Sequence, residues 1–550
     1  MRGTTPGIVR NWFAPMLLVV AVAFVSTSLL YTVDAVILTG GVVSVPAVLE
    51  HYLGFTPELI TDALPALGMT VVAALGIVLT VIAIIVQLSS ERYTGVAMMF
   101  LRDPAHIAVL SFYIIVSLCA VWLSVSLRED FVPRGLLLMV MALTSIGLAS
   151  MLPYFAYTFW FLEPSNIIER LRLRTSRLGD LGLAGRSAAE VEPLQGKLFH
   201  QVEEITDIAN NSIEGRDKII AVDAVDALRD FVISYIADKP DVGHAWYRIG
   251  EKLRAKPEFI GMDPQLMESL DSRGLWVEWK TLREYTSIYR EALDSMHEVN
   301  SLIAINTRFI AEVAAGAGKP AVVQMAFRFM NSFLERGIEA RAAAVCFDVL
   351  HQYRMLLEFL LSRGDDGLAY EGLEFLKYYS HIAFEDELPD VAETAAYDVV
   401  MLCRYAHEHR IKGAERILKL LLEVDAKSDL SSLRQYRSLL GVRCAQARLA
   451  VYFLSIGERT KAKMIADDME ALPVDMCRRI REDLMLDPAH FWEMVDRGRN
   501  RHYLAEAERA QVDIFLGWLE CPRRSATSVT SSQPPETPAR GAPGIGECTA

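Results

Sequence analysis

The alternation of apolar and polar positions divides the chain sharply near residue 164. Before it, four runs contain almost nothing polar: Phe13 to Leu38, Leu67 to Leu88, Ile107 to Leu127 and Gly135 to Leu162. Each is long enough to cross a hydrocarbon layer of roughly 30 Å as a helix. After it, apolar residues recur with helical spacing and are separated by short turns such as "DKPDVG", "GAGKP", "RGDDG" and "ALP". No group of β-rich runs suggests a sheet. The pattern predicts an all-α protein: a polytopic membrane domain of four transmembrane helices over 1–164, an amphipathic juxtamembrane linker over 165–190, a large helical domain over 191–520, and a Ser-, Thr- and Pro-rich disordered tail over 521–550.

Orientation follows from the flanking cations, which are retained on the cytoplasmic side. Arg2 and Arg10 precede the first run, Arg92 and Arg102 separate the second and third, and Arg170, Arg172, Arg174 and Arg177 follow the fourth. The outer loops carry only Arg128 and Arg134. A multi-pass membrane protein is therefore expected, with both termini and the helical domain in the cytosol.

Within the second run, Ala73, Gly76, Thr80, Ala83 and Gln87 form one stripe of small or weakly polar residues on a helix of Val, Ile and Leu. Such a stripe lets another helix approach closely; lining a pore in an oligomer is the alternative use. Asp34 is the one ionisable residue assigned to the interior of a span. In the fourth run Pro153 is expected to kink the helix, and Tyr154, Phe155, Tyr157, Phe159 and Trp160 to form an aromatic belt at the inner interface.

The segment "QLSSERYTGVAMMFLRDP", residues 87–104, joins the second and third runs. Tyr93, Val96, Ala97 and Phe100 would share one helical face, and Asp103 before Pro104 suits a helix start. Either a fixed turn in the headgroup layer or an element coupled to the cytosolic domain would use Ser89, Ser90, Arg92, Phe100, Arg102 and Asp103. Those six residues, with the hydrophobic helices on either side, resemble the family of predicted bacterial membrane proteins known as domain of unknown function 2254. The resemblance covers about the first 165 residues; it implies an integral membrane protein and brings no activity with it.

Beyond the fourth run, "EPSNIIERLRLRTSRLGDLGLAG" alternates Ile and Leu with Arg170, Arg172, Arg174 and Arg177. The pattern suits contact with anionic lipid headgroups, or a helix end packed on the soluble domain. Further on, Ala369, Ala414 and Ala462 each open a helix after a polar turn. The segment "AQARLAVYFLSIGERTKAKMIADDMEALP" loosely resembles a tetratricopeptide-type unit. Hairpins that cannot bury their apolar faces alone stack into an α-solenoid; an irregular bundle is the other arrangement open to these helices.

Charge narrows the partners. Only six of 55 Lys and Arg and nine of 69 Asp and Glu fall in the first 164 residues, so the remainder holds 49 basic against 60 acidic side chains. That balance argues against nucleic acid, which needs a concentrated basic face. The seven cysteines form no C-x-x-C pair, so neither a zinc site nor a disulfide framework is implied, and free thiols are expected in the cytosolic part. His407 and His409 stand at i and i+2 and diverge on a helix, and "GAGKP" is a turn and not a phosphate loop. No cofactor, metal or catalytic residue is expected, and the chain does not read as an enzyme. The expected partners are membrane lipids, a protein docked on the helical domain, and further copies of the chain. The expected function is a membrane-anchored helical scaffold, with an oligomeric channel or transporter carrying a regulatory cytosolic domain as the alternative.

Overall fold

The computed structural model describes residues 18, 20–34, 57–92, 100–126, 133–184, 187–239, 245–424, 432–469, 472–485 and 503–519. Among them every regular element is helical. The chain divides into two compact units, Met1–Val424 and Asp425–Ala550, a boundary inside what the sequence suggests is a single cytosolic domain. The tail expected beyond residue 521 lies outside the described residues.

The apolar part begins with α1 (Val20–Asp34), which represents the first run. Three longer apolar helices follow: α2 (Pro57–Arg92), α3 (Pro104–Ser126) and α4 (Arg134–Leu162). Windows of mean hydropathy 2.1 to 2.6 make α2, α3 and α4 long and apolar enough to cross a membrane. α2 starts ten residues earlier than its hydrophobic run, so Pro57 to Ala66, expected as outer loop, is helical. The three pack on one another through a narrow seam that includes Ile60, Ala120, Leu123, Leu137 and Val140. Opposite it, Ile77, Ile84, Ile115, Trp122 and Val125 are exposed. That distribution suits a solvent as apolar as the side chains themselves.

α5 (Pro164–Ala184) follows α4 with only Glu163 between them. It is no loose linker: Ile167, Ile168, Leu171 and Thr175 are buried, and the helix packs on both α6 (Ala188–Glu214) and α7 (Lys218–Asp238). Its glycines make the fit possible. A Cβ on Gly182 would stand 2.3 Å from the indole of Trp246, and one on Gly179 would touch Tyr235. Trp246 is held in turn by Tyr235, Trp276 and Gln195 through hydrogen bonds of 2.8 to 3.0 Å.

From α6 the unit builds two layers. After a segment containing α8 (Glu251–Arg254), α9 (Pro257–Ile260) and α10 (Pro264–Arg273), it continues with α11 (Trp276–Ala292), α12 (His297–Gly316), α13 (Pro320–Glu339), α14 (Ala343–Arg363), α15 (Asp366–Glu385), α16 (Pro389–Glu408) and α17 (Ala414–Leu422). α7, α12, α14 and α16 pack side by side in one layer; α6, α11, α13, α15 and α17 do so in the other. Each helix thus meets its sequence neighbour across the layers and the next helix but one within its own. This is the packing of stacked helical hairpins.

Two features set the register. Residues with left-handed φ stand at Gly318, Arg341, Gly364, Glu387 and Arg410, each 23 after the last. Each ends a helix in a Schellman motif, with the following N–H donating to a carbonyl five residues back, as in Lys319 to Ala314 (2.8 Å) and Ala342 to Gly337 (2.9 Å). Along the layer of α7, α12, α14 and α16 runs a ladder of arginines. Arg229 bonds Asn306, Arg308 bonds Gln352, and Arg354 pairs with Asp398 at 3.2 Å. Asn306, Gln352 and Asp398 are 46 residues apart, one hairpin each. Arg354 and Asp398 are both buried, and their pairing compensates the charge of each.

The cysteines here are closely packed. Cys346 lies against Gly337, where a Cβ would sit 2.7 Å from its Sγ, and burial pushes its thiol up to about 12. In the second unit, α18 (Leu433–Ser455) is the centre on which α19 (Arg459–Asp468), α20 (Val474–Leu484), α21 (Glu506–Arg509) and α22 (Val512–Trp518) pack. α18 and α19 form the hairpin expected from "AQARLAVYFLSIGERTKAKMIADDMEALP", turning at Gly457 with Ala462 fully buried. Cys477 of α20 is disulfide-bonded. This departs from the expectation of free thiols in that part of the chain, whereas Cys346, Cys403 and Cys444 are free.

Two alanine substitutions test the close packing. Gly372, inside α15, faces Leu357 and Phe327, and an added Cβ would stand 2.5 and 2.9 Å from them. Gly372→Ala should destabilise by about 1–3 kcal/mol through overpacking. Gly196, in the middle of α6, has nothing within 4 Å of such a Cβ, and Gly196→Ala should stabilise by about 0.5–1 kcal/mol through helix propensity. Thermal unfolding of the purified full chain would read opposite shifts in midpoint.

Candidate functional site

The sequence motifs meet the structure most densely at the start of α3. Asp103 caps that helix: its backbone carbonyl accepts from Ile107 N–H, its Oδ1 accepts from Ala105 N–H at 2.9 Å, and Pro104 occupies the first helical position. The same Oδ1 accepts from the Tyr157 hydroxyl of α4 at 3.0 Å. One turn away, His106 Nδ1 lies 3.0 Å from the Tyr154 hydroxyl. The imidazole is 2 % exposed and stacks on Phe100 with ring centroids 3.5 Å apart. Phe161 closes the far side, edge-on to both rings.

α5 completes the cluster with Arg170. Its guanidinium lies 4.0 Å from the centroid of Phe161 and 4.5 Å from that of Trp160, and it reaches the Tyr157 hydroxyl. Desolvation by burial pulls it below the usual arginine range, against the raising influence of Tyr157 and Asp103. The site therefore joins three elements: the turn into α3, the C-terminal end of α4 and the first turns of α5. Its chemistry is that of a joint. It contains a carboxylate, a guanidinium, an imidazole and two phenols, every one of them engaged with another.

These placements revise several expectations. Tyr154, Tyr157 and Phe161 stand at i, i+3 and i+7 and turn one face inward around His106 and Asp103; they are not an aromatic belt toward lipid. Phe159 alone among the expected belt is largely exposed, at 64 %. Pro153 is buried within an uninterrupted α4. Asp34 is not the one ionisable residue in the apolar helices, because His106 lies within α3. The signal was present in the i, i+3, i+7 spacing, but the hydrophobic run begins at Ile107 and leaves His106 just outside.

Of the expected elbow, Phe100 and Asp103 belong to the cluster. Arg102 follows the last turn before Asp103, and Ser89, Ser90 and Arg92 form the end of α2. Tyr93, Val96 and Ala97 lie outside the described residues. The stripe of α2 is turned away from its neighbours: Ala73, Gly76, Thr80, Ala83 and Gln87 are all exposed, while Val71, Ala74, Val78 and Ile82 make the contacts with α3 and α4. A Cβ at Gly76 would meet nothing within 4 Å. Thr80 returns its hydroxyl to the Gly76 carbonyl. Of the four α5 arginines, Arg170 is in the cluster, Arg172 makes two bonds of 2.6 and 2.7 Å to Glu169, and Arg174 and Arg177 are exposed. His409 stacks on Tyr405 with centroids 4.1 Å apart. No group of three potential metal ligands occurs among the described residues.

The Asp103–Tyr157 bond can be measured as a coupling. Asp103→Ala should cost about 1 kcal/mol for the lost cap alone. With Tyr157→Phe in a double-mutant cycle, the two losses should fall short of additivity by about 0.5–1.5 kcal/mol. The readout is the thermal midpoint of the four proteins in one detergent.

No family model matches the chain. No curated protein matches it. Among solved structures, the chain is similar to a protein described as a circular tandem repeat protein with novel repeat topology and enhanced subunit contact surfaces. That likeness covers 69% of this chain and 85% of the other, at 13% identity and a TM-score of 0.33, and is too distant to bear on function.

Proposed function

We propose that this chain is a multi-pass protein of the bacterial inner membrane that holds a stack of helical hairpins at the cytosolic face, where the stack docks a protein partner. The observation that carries this reading is the direct passage of α4 into α5. An apolar helix of membrane length runs, across one residue, into a helix packed within the repeat stack, and Arg170 ties the two together. On this reading the first run is a fourth span and both termini are cytosolic. Arg174 and Arg177, exposed beside Leu173 and Leu181 on α5, meet anionic headgroups. The likeness of Ser89, Ser90, Arg92, Phe100, Arg102 and Asp103 to the family of domain of unknown function 2254 is part of the same proposal. Docking is favoured over catalysis because Asp103, Tyr157, Arg170 and the His106–Tyr154 pair are engaged with one another in joining helices.

The protein should stay with membranes after carbonate extraction. Periplasm-dependent alkaline phosphatase should be active when fused within 39–56 or 127–132, and inactive when fused within 93–99 or after 519. Inverted activities would overturn the orientation. Crosslinked pull-down with the full chain should retain a soluble partner, and retention of none would overturn docking.

The exposed stripe of α2 favours a second reading, in which copies of the chain associate through it and enclose a pathway. Light scattering corrected for bound detergent would then give a mass of several subunits, and Gly76→Leu would reduce it to one. Thr80→Leu or Gln87→Leu would change ion flux in reconstituted bilayers. A monomeric mass, or unchanged flux, would exclude that pathway.

A further inference from the structure

The hairpin period is broken once in the stack, between α7 and α11, where a segment holding α8, α9 and α10 is inserted. Insertions in a repeat array gather on one face, often the binding face. This one is firmly attached at its middle. Both oxygens of Glu258 accept from Lys280 at 3.0 Å, and Lys280 is wholly buried and also contacts Glu284. Phe259 packs on Trp279, with ring centroids 5.2 Å apart. The last helix of the insertion, α10, then stands off from α11 and α13 and leaves a cleft of about 190 Å³ between them.

The floor of that cleft is apolar and comes from both sides: Leu270, Leu275, Trp279 and Met325, each less than a tenth exposed. At its rim stand Arg273, on the last turn of α10, and Arg328 of α13. Both are exposed, and neither engages a carboxylate among the described residues. Arg283, also exposed, lies over Trp279 at 5.4 Å. Glu371 accepts from the lining residue Gln324 at 2.9 Å and is occupied. Arg273 and Arg328 thus place two guanidinium groups at the edge of an apolar hole.

We infer that this cleft binds an acidic peptide segment of the docked partner, one apolar side chain entering on Trp279 and neighbouring carboxylates reaching Arg273 and Arg328. The inference rests on the docking reading above. The space exceeds the roughly 150 Å³ that admits benzene in an engineered apolar cavity, so one aromatic or leucine side chain fits. It is too small for lipid chains, and an isolated phosphate would leave the apolar floor unused. Arginine suits carboxylates geometrically, because its planar fork donates two parallel N–H bonds to the two carboxylate oxygens.

The test pans a displayed library of short random peptides on the full chain in nanodiscs, then titrates the enriched peptides, fluorescein-labelled, by anisotropy. Enriched peptides should place Asp or Glu beside an aromatic residue or Leu. Their affinity should fall about tenfold or more in the Arg273→Glu, Arg328→Glu double variant, and also in Ser269→Trp, which fills the cleft without changing charge. Both variants alter accessible positions, and an unchanged thermal midpoint confirms that they fold. Enriched peptides without acids, no enrichment, or affinity indifferent to both variants would overturn the inference. Loss of binding to anionic vesicles in the charge-reversed protein, with no peptide enriched, would assign the arginines to a membrane instead. If the crosslinked partner is retained equally by wild type and both variants, the cleft fails and the docking reading stands. If wild type retains none, the docking reading fails on its own.

Discussion

A helix that ends must satisfy its terminal carbonyls and redirect the chain, and after α4 the redirection falls to one residue. Glu163 takes an extended conformation after α4 while its N–H donates to Phe159, and Pro164 starts α5 without needing a donor of its own. The arrangement depends on that short break. It is too brief to let the apolar helices and the stack separate, so the inner aromatics of α4 and the first turns of α5 share one cluster. Arg170 fits there because a guanidinium can lie flat on aromatic faces while its edge bonds a phenol.

From α5 onward the organising constraint changes from direction to repetition. A helical hairpin leaves an apolar face uncovered, and only another hairpin of the same spacing covers it. The ladder Arg229–Asn306, Arg308–Gln352, Arg354–Asp398 shows what such spacing permits in the interior. Each long cation of one helix reaches a polar group at a fixed register on the next. The ladder is polar where apolar packing would also close the layer, so it specifies alignment as much as it adds cohesion.

Much of this was legible in the sequence, and what was not has identifiable causes. The apolar runs gave α3 and α4 to within a few residues, because length and hydropathy suffice for that, whereas α2 begins ten residues before its run. The Asp103–Pro104 start of α3 followed from capping chemistry. The repeat was visible at Ala369 and Ala462, each five residues after a left-handed glycine, but its period was hidden. Gly318 and Gly364 mark two of the five regularly spaced turns, whereas Arg341, Glu387 and Arg410 occupy the same backbone conformation without any compositional sign. Ala414 is displaced from the register because a second left-handed residue, Gly413, delays its helix. The stripe of α2 is a real periodicity in the sequence, but a pattern does not say which side faces a neighbour. Val71, Ala74, Val78 and Ile82 have the same periodicity and took the contacts. The cleft had no one-dimensional signature at all, since Arg273, Trp279 and Arg328 come together only when an insertion meets the stack.

The nearest-neighbour character of the two layers has a mechanical consequence. Elements joined in series add their compliances, so a small angular play at each hairpin interface accumulates toward the end of the stack that is far from α5. The hairpins beside α5 share its attachment and move with it, whereas α16 and α17 sweep the largest arc for the same local freedom. An inserted segment pinned by Glu258 and Lys280 near the anchored end is therefore carried on the stiffest part of the lever.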